Sequence, residues 1–457
     1  MQQLAQALAL KLEGYREEML FHFKELLKMD TVQEEPRPGA PFGRGVRRAL
    51  DYVLGLSRRF GLETVDMDGY IGYSEYGEGP GYVCSIAHLD VVPPGEGWHY
   101  PPFGAEEHEG VLYARGAGDD KPGCIAGLYA LRCMKELGYK PRHRVRVIYG
   151  CAEETGMQDL DHYLQAQPLP LFGFTPDSDG YDIVNAEKGR MEFCVSAPLA
   201  PDAPLVRAQG GLAANTIPDQ VTAVFDTSRM TPDEQRRLAR AAEGAAWRRD
   251  GALVTARFEG VAAHAAFPQS GRSALAAYAR CACGVLGPRA DALTRFADKI
   301  GFELYGASLG MACPDDFMGP LTLCLCRLYT EGGRLWAVGD VRYPTAVTGA
   351  QLAGRLRRAA DEAGLQLQVL SAADGHHCVD ENAFGILRAV CLDKGKPEPR
   401  RRALAGGTYA KKFGGRLVAF GGCGDGVHGP DEFVPVADFY DHVGMVAHAL
   451  YRLSGEL

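Results

Sequence analysis

The sequence predicts an α/β protein, a mixed sheet flanked by helices, interrupted by an inserted ferredoxin-like α+β domain. Three observations carry this prediction. Up to about residue 190 the chain repeats strand, acid- or histidine-bearing loop, helix, the alternation of α/β domains. From 191 the order becomes β-α-β-β-α-β, that of a ferredoxin-like sandwich. From about 378 helices and a strand of the first style resume, so the expected domains are 1–190 with 378–457, and 191–377 between them.

Residues 1–29 place apolar side chains at three- and four-residue spacing and read as one or two helices. A Pro-rich loop over 30–43 precedes a helix over about 44–61. Tyr82 to Ala87 is an apolar strand that delivers His88 and Asp90 just before Pro93-Pro94-Gly95. Residues two apart in an extended strand face the same side, so these two side chains are predicted to project together. Glu107–Tyr113 reads as a hairpin turning at Glu109-Gly110. RGAGDDKPG, 115–123, leads into a helix Cys124–Leu137. A buried strand Arg144–Tyr149 ends at CAEETG, 151–156, and a short strand Leu171–Thr175 ends at Pro176-Asp177. Within the insertion, Met191–Ala197 and Ala252–Phe258 read as strands and Ser273–Leu286 as a helix, with 200–250 as extra material. A hairpin, Leu321–Leu328 with Leu335–Arg342, turns at Glu331-Gly332-Gly333, and helix 348–363 and strand 366–370 close the unit. Strand Arg416–Phe420 belongs to the returning first style.

At 46% hydrophobic and 23% charged, the chain has the composition of an ordinary globular protein. A net charge of −9 argues against nucleic acid as a main partner. Its 13 cysteines are scattered, with no CxxC pair, which fits free thiols in a reducing cytoplasm. The N-terminal stretch lacks a long apolar core and a cleavage site, and no window approaches the roughly 18 apolar residues of a membrane span. A cytoplasmic chain with no membrane partner is expected. GDGVHG, 424–429, fits GxGxxG, but residues 430–457 are too few for a βαβ unit with a ribose-binding acid.

The acid- and histidine-bearing loops supply His88, Asp90, Asp119, Glu153, Glu154, Asp177 and His428. Ligands of α/β sheets collect beyond the carboxyl ends of strands, where these loops lie. Two histidines with three carboxylates make the inventory for two zinc-like ions, one carboxylate bridging and each ion taking one His and one further acid. Neighbouring Glu153 and Glu154 point apart, so one can ligate while the other takes a proton from the attacking water. A carboxylate beside a ligating histidine fixes its tautomer, the role open to Asp90. His376-His377 diverge as adjacent side chains and are left out as ligands.

HLDVVPPGEGW, RGAGDDKPG, CAEETG, TPDSDG with NAEKG, and the late VHGPDE together resemble the ordered signature of the M20 family of metallopeptidases. Within that family the chain most resembles the PepV-like (Xaa-His-type) dipeptidase branch. The resemblance implies a metallopeptidase catalytic domain with an inserted lid. It implies His88 and Asp177 on one metal, Glu154 and His428 on the other, and Asp119 bridging through a cis Asp119–Asp120 bond. Glu153 becomes the general base and Asp90 the residue that orients His88. GGLAANTIPDQ matches the segment that contributes Asn215; GVAAHAAFP and DVRYP match those that bring His264 and Arg342 to the oxyanion. GGTYA matches the loop that cradles the substrate's C-terminal carboxylate, here through Gly407 and Thr408. Pro122-Gly123 departs from the branch's usual Gly-Pro order, in a loop and not at a ligand.

The implied function is a di-zinc dipeptidase acting on short unblocked dipeptides, with cobalt or manganese as alternative ions. An M20 amidohydrolase of N-acyl amino acids (deacylase or desuccinylase type) keeps the metals and changes the substrate. A non-catalytic peptide-binding relative would lack a ligand or the base, and all those positions are filled. The insertion is long enough to cover the site within one chain, which suits a monomer and leaves open a homodimer through the sandwich strands.

Overall fold

The apolar run that ends at His88 forms the strand Tyr82–His88, buried at every position. Its alternation explains the burial: Val83 and Ala87 enter one apolar core, Tyr82, Cys84 and Ile86 another on the opposite face of the sheet. A strand covered on both faces reads as a continuous hydrophobic run, as this one does. The computed structural model describes residues 2–241 and 247–457; Met1 and residues 242–246 of the extra 200–250 segment lie outside the described residues. Two compact units result, one holding the chain up to Ala186 with His377–Arg402 and Gly407–Leu457, the other Glu187–His376 with Ala403–Gly406.

In the first unit the mixed sheet runs Glu63–Met67, Ile71–Tyr76, Arg144–Gly150, Tyr82–His88, Phe172–Thr175, Leu417–Ala419, Ile183–Glu187. Four consecutive members, from Arg144–Gly150 to Leu417–Ala419, are mutually parallel, so their carboxyl ends share one edge. Helix Lys121–Glu136 starts three residues before its predicted start, because Pro122 occupies the first turn, where its missing N–H costs nothing. Nearly all of that helix is buried, and a Cβ at Gly127 would run into the Val147 methyls, so glycine there sets its approach to the sheet. The long helix Val436–Glu456 packs against it. The hairpin of Glu106–His108 with Val111–Tyr113 forms as expected, and Phe433–Pro435 adds a third strand. Absent from the sequence reading were strands Glu63–Met67, Ile71–Tyr76 and Ile183–Glu187 and helix Gln158–Ala166.

In the second unit, the strands Gln366–Ala373, Gly189–Pro198, Arg334–Tyr343 and Thr322–Glu331 lie side by side and antiparallel, the sheet order of a ferredoxin-like sandwich. The hairpin turns at Gly332-Gly333, both at positive φ, with Glu331 and Arg334 paired in the strands. Strand Leu253–Glu259 forms as expected and lies outside the four-stranded core; Leu205–Gly210 and Gln220–Asp226 intervene. The extra segment alternates apolar and polar residues, Val221, Ala223 and Phe225 facing the core, so it extends the sheet instead of decorating it. No helix among the described residues is long and apolar enough to cross a membrane. All 13 cysteines are unpaired.

Candidate active site

His88 ends the strand Tyr82–His88; Glu153 and Glu154 follow Arg144–Gly150; Asp177 follows Phe172–Thr175; and His428 lies in the loop after Leu417–Ala419. Those are the four parallel strands, so topology alone delivers the side chains to one edge. Asp119 arrives from the loop before helix Lys121–Glu136, and the Asp119–Asp120 peptide bond is cis. Ligand atoms of His88, Glu153 and Asp177 all lie within 4.8 Å of one another, and so do those of His88, Asp119 and Glu154. His88 Nε2 is 2.8 Å from Asp119 Oδ1. His428 Nε2 is 3.0 Å from Asp119 Oδ2 and 3.0 Å from Glu154 Oε1. Asp119 therefore stands between the two histidines.

The electrostatics follow from crowding acids in a buried place. Burial, with the charge of Asp177, pushes the Glu153 carboxyl well above the usual carboxylate range. Burial would lift Asp119 too, but His88 and His428 hold it far below that range. Burial alone would lower His88; Asp119 and Asp90 instead hold it well above an ordinary imidazole. Hydrogen bonds to Asp119 and Glu154 raise His428 to about 10.

The loops that present these groups are fastened to buried carboxylates. Asp90 lies just past the strand end, with its carboxylate 3.6 Å from His88 Nδ1, while that nitrogen is 2.9 Å from Asp90's own carbonyl oxygen. The Asp90 carboxylate accepts the backbone N–H groups of Glu153 at 3.2 Å and Glu154 at 3.1 Å. Desolvation raises it to about 6. Asp159 Oδ2 accepts the next two amides back, Cys151 at 2.6 Å and Ala152 at 3.1 Å. Glu432 accepts the amides of Gly116, Gly118 and Asp119 and the Arg115 guanidinium at 2.6 Å, while Arg115 also donates to the Gly429 carbonyl. Glu432 thus ties the loop of Asp119 to the loop of His428. The sequence reading missed Asp159 and Arg115 and gave Glu432 no role; an acid in a helix's first turn carries no mark of such a task.

In the second unit, Asn215, His264 and Arg342 gather through short contacts. Thr216 pairs with His264 and Ile217 with Ala263 in a two-stranded ladder, and the Ala265 N–H donates to the Asn215 carbonyl at 2.8 Å. Thr322, opposite Arg342 in the sheet, donates its hydroxyl to the Ala265 carbonyl. His264 Nδ1 accepts the Ala266 N–H at 3.1 Å. Burial and the Arg342 charge lower its proton affinity, so the neutral ring carries its proton on Nε2. Buried Asp340 takes Arg342 Nε at 2.7 Å and Arg190 Nε at 2.9 Å. In the first unit, Gly407 and Thr408 open a short turn; Thr408 is buried and its Oγ1 accepts the Ala410 N–H at 3.2 Å.

The model of peptidase family M20/M25/M40 matches residues 84–452. The chain belongs to this family. The M20 chain is 31% identical to the Bacillus subtilis (strain 168) protein named "Putative dipeptidase YtjP", over 96% of its length and 98% of that protein's. It is 28% identical to the Beta-Ala-Xaa dipeptidase of Lactobacillus delbrueckii subsp. lactis, over 97% of each. Its fold matches the crystal structure of human carnosine dipeptidase 1 with a TM-score of 0.60, at 14% identity and 99% coverage of both chains. As an M20 enzyme it is a hydrolase of peptide bonds, in a family of divalent-metal users. The donor set suits that chemistry: Asp119, Glu153, Glu154 and Asp177 crowd two imidazoles, and carboxylate and imidazole are the donors that divalent ions of the zinc type take.

Proposed function

We propose that this M20 chain is a dipeptidase that binds two divalent ions, zinc first among them, and hydrolyses short unblocked dipeptides. Supporting the substrate class are the names borne by its full-length relatives. The observation that carries the reading is that Glu153 sits within 4.8 Å of the donor atoms of both His88 and Asp177, while Glu154 next to it faces His88 and Asp119. Side chains adjacent in sequence are thus divided between two tasks.

His88 and Asp177 would hold one ion, Glu154 and His428 the other, and Asp119 both. When bound, the pair supplies Lewis acidity that polarises the scissile carbonyl and makes water a stronger nucleophile. Glu153 takes the proton of the attacking water and then delivers it to the leaving amine. Asp90 keeps the His88 ring in its tautomer and holds the amides of Glu153 and Glu154. Nε2–H of His264 and the Arg342 guanidinium are the donors for the developing oxyanion, with Asn215 beside them. Main-chain groups of Gly407 and Thr408 receive the substrate's C-terminal carboxylate. The test is metal analysis with an activity panel of free dipeptides against N-acyl amino acids. About two ions per chain are expected, with cleavage of the free dipeptides. In Glu153→Gln, turnover should fall by roughly 10²–10⁴-fold with metal content unchanged. Cleavage of N-acyl amino acids alone would transfer the enzyme to the deacylase class, and an active Glu153→Gln variant would remove Glu153 as base.

A further inference from the structure

The turn that begins at Thr408 is fastened at two points to the segment that presents Glu153 and Glu154. The hydroxyl of Tyr409, fully buried, donates to Asp159 Oδ2, the same oxygen that accepts the amides of Cys151 and Ala152. Three residues on, Lys412 Nζ donates to the Met157 carbonyl at 3.1 Å and to Asp161 at 2.5 Å. The gripped segment is itself closed, since the Met157 N–H donates to the Ala152 carbonyl at 2.7 Å and the Gly156 N–H to that of Glu153. The Tyr409 ring fills the space over Gly150, where any Cβ would collide with it, and stands edge-on to the His88 ring with centroids 6.3 Å apart. A displacement of the 407–412 turn is thus passed through a buried hydroxyl and carboxylate to the amides just before Glu153, with no slack in apolar packing to absorb it.

We propose that Tyr409 and Asp159 are positioning residues that couple occupation of the Gly407–Thr408 turn to the placement of Glu153. This rests on the reading of that turn as the cradle of the substrate's carboxylate. A dipeptide that fills the cradle sets the base; one that cannot fill it leaves the base off its line of attack, and the loss falls on the chemical step more than on binding. Neither residue touches substrate, as both are buried among protein atoms.

The test compares one unblocked dipeptide with its C-terminal amide, in wild type, Tyr409→Phe and Asp159→Asn, with kcat and KM measured separately and metal content determined for each. Phenylalanine keeps the ring over Gly150, and asparagine keeps an acceptor for the loop amides. In the wild type, amidation should lower kcat by roughly 10- to 100-fold. In Tyr409→Phe, kcat for the free dipeptide should fall towards that for the amide, so that amidation costs about twofold or less by non-additivity, with metal content retained. Asp159→Asn should move the same way, less far. An equal fold-loss on amidation in wild type and both variants, or a change confined to KM, overturns the coupling and leaves the cradle standing. Equal kcat and equal KM for dipeptide and amide in the wild type overturn the cradle, and the coupling with it.

Discussion

In the first unit the turns that present Asp119, Glu153 and Glu154 are hydrogen-bonded to buried carboxylates, whereas in the second the candidate oxyanion donor His264 rests on a ladder of two residue pairs. Asp90, Asp159 and Glu432 together hold the amides of Cys151, Ala152, Glu153, Glu154, Gly116, Gly118 and Asp119. A charged acceptor in a desolvated place makes bonds about twice as strong as neutral ones and is costly to leave unpaired. Of the candidate donors in the second unit, Arg342 has an anchor of that kind in Asp340, while exposed His264 is held by the 216–217/263–264 ladder and single neutral bonds. The difference separates two requirements. On the proposed reading, groups that would stay near a metal pair are locked before anything binds, and groups that would meet a transient charge are held by contacts worth about 1 kcal/mol each.

The largest effect expected from this contrast is at Glu432. Removing it in Glu432→Ala leaves the Arg115 guanidinium, 1% exposed, without its carboxylate. Loss of one partner of a buried pair costs about 3–5 kcal/mol, to be seen as a fall in the urea unfolding midpoint with unchanged slope. A loss under about 1 kcal/mol, the worth of a neutral bond, would mean that the first unit's anchors are no stiffer than those of the second. A pair of variants then separates the units by what they lose. His264→Ala should lower kcat by about 10²–10³-fold, the scale of a missing oxyanion donor, at full metal content. Asp90→Asn, which removes one of the two oxygens that hold the Glu153 and Glu154 amides, should weaken metal binding by about 10–100-fold. The comparison breaks if His264→Ala loses metal or if Asp90→Asn keeps full affinity.

How much of this was legible follows from distance along the chain. The parallel strands and their loops could be read because each strand, loop and helix is a local pattern, and metal chemistry admits few residue types, so His88, Asp119, Glu153, Glu154, Asp177 and His428 stood out within their own motifs. Asp159 did not, because its partner Tyr409 lies 250 residues on, and in sequence it is one more acid opening a helix. Glu432 and Arg115, 317 residues apart, were hidden for the same reason. The place of strand Leu253–Glu259 in its sheet was not legible for a related one. The extension joins the ferredoxin-like core through a single ladder pair, Gly210 with Leu328, and no periodicity announces which strand will supply it.

The smallest effect tests the second half of the comparison directly. Thr322 is buried and its hydroxyl donates to the Ala265 carbonyl at 3.2 Å, next to His264. Valine has nearly the same shape and no donor, so Thr322→Val removes one neutral hydrogen bond and little else. The stability cost should be about 1 kcal/mol, and turnover should fall by no more than about fivefold, since the ladder of Thr216 and His264 and the Ala265–Asn215 bond persist. Steady-state kinetics beside a urea melt measure both. If turnover instead fell as far as it does on losing an oxyanion donor outright, roughly a hundredfold, at that small stability cost, His264 would need placement as exact as the candidate metal ligands do. The distinction between a locked unit and a lightly held one would then have to be abandoned.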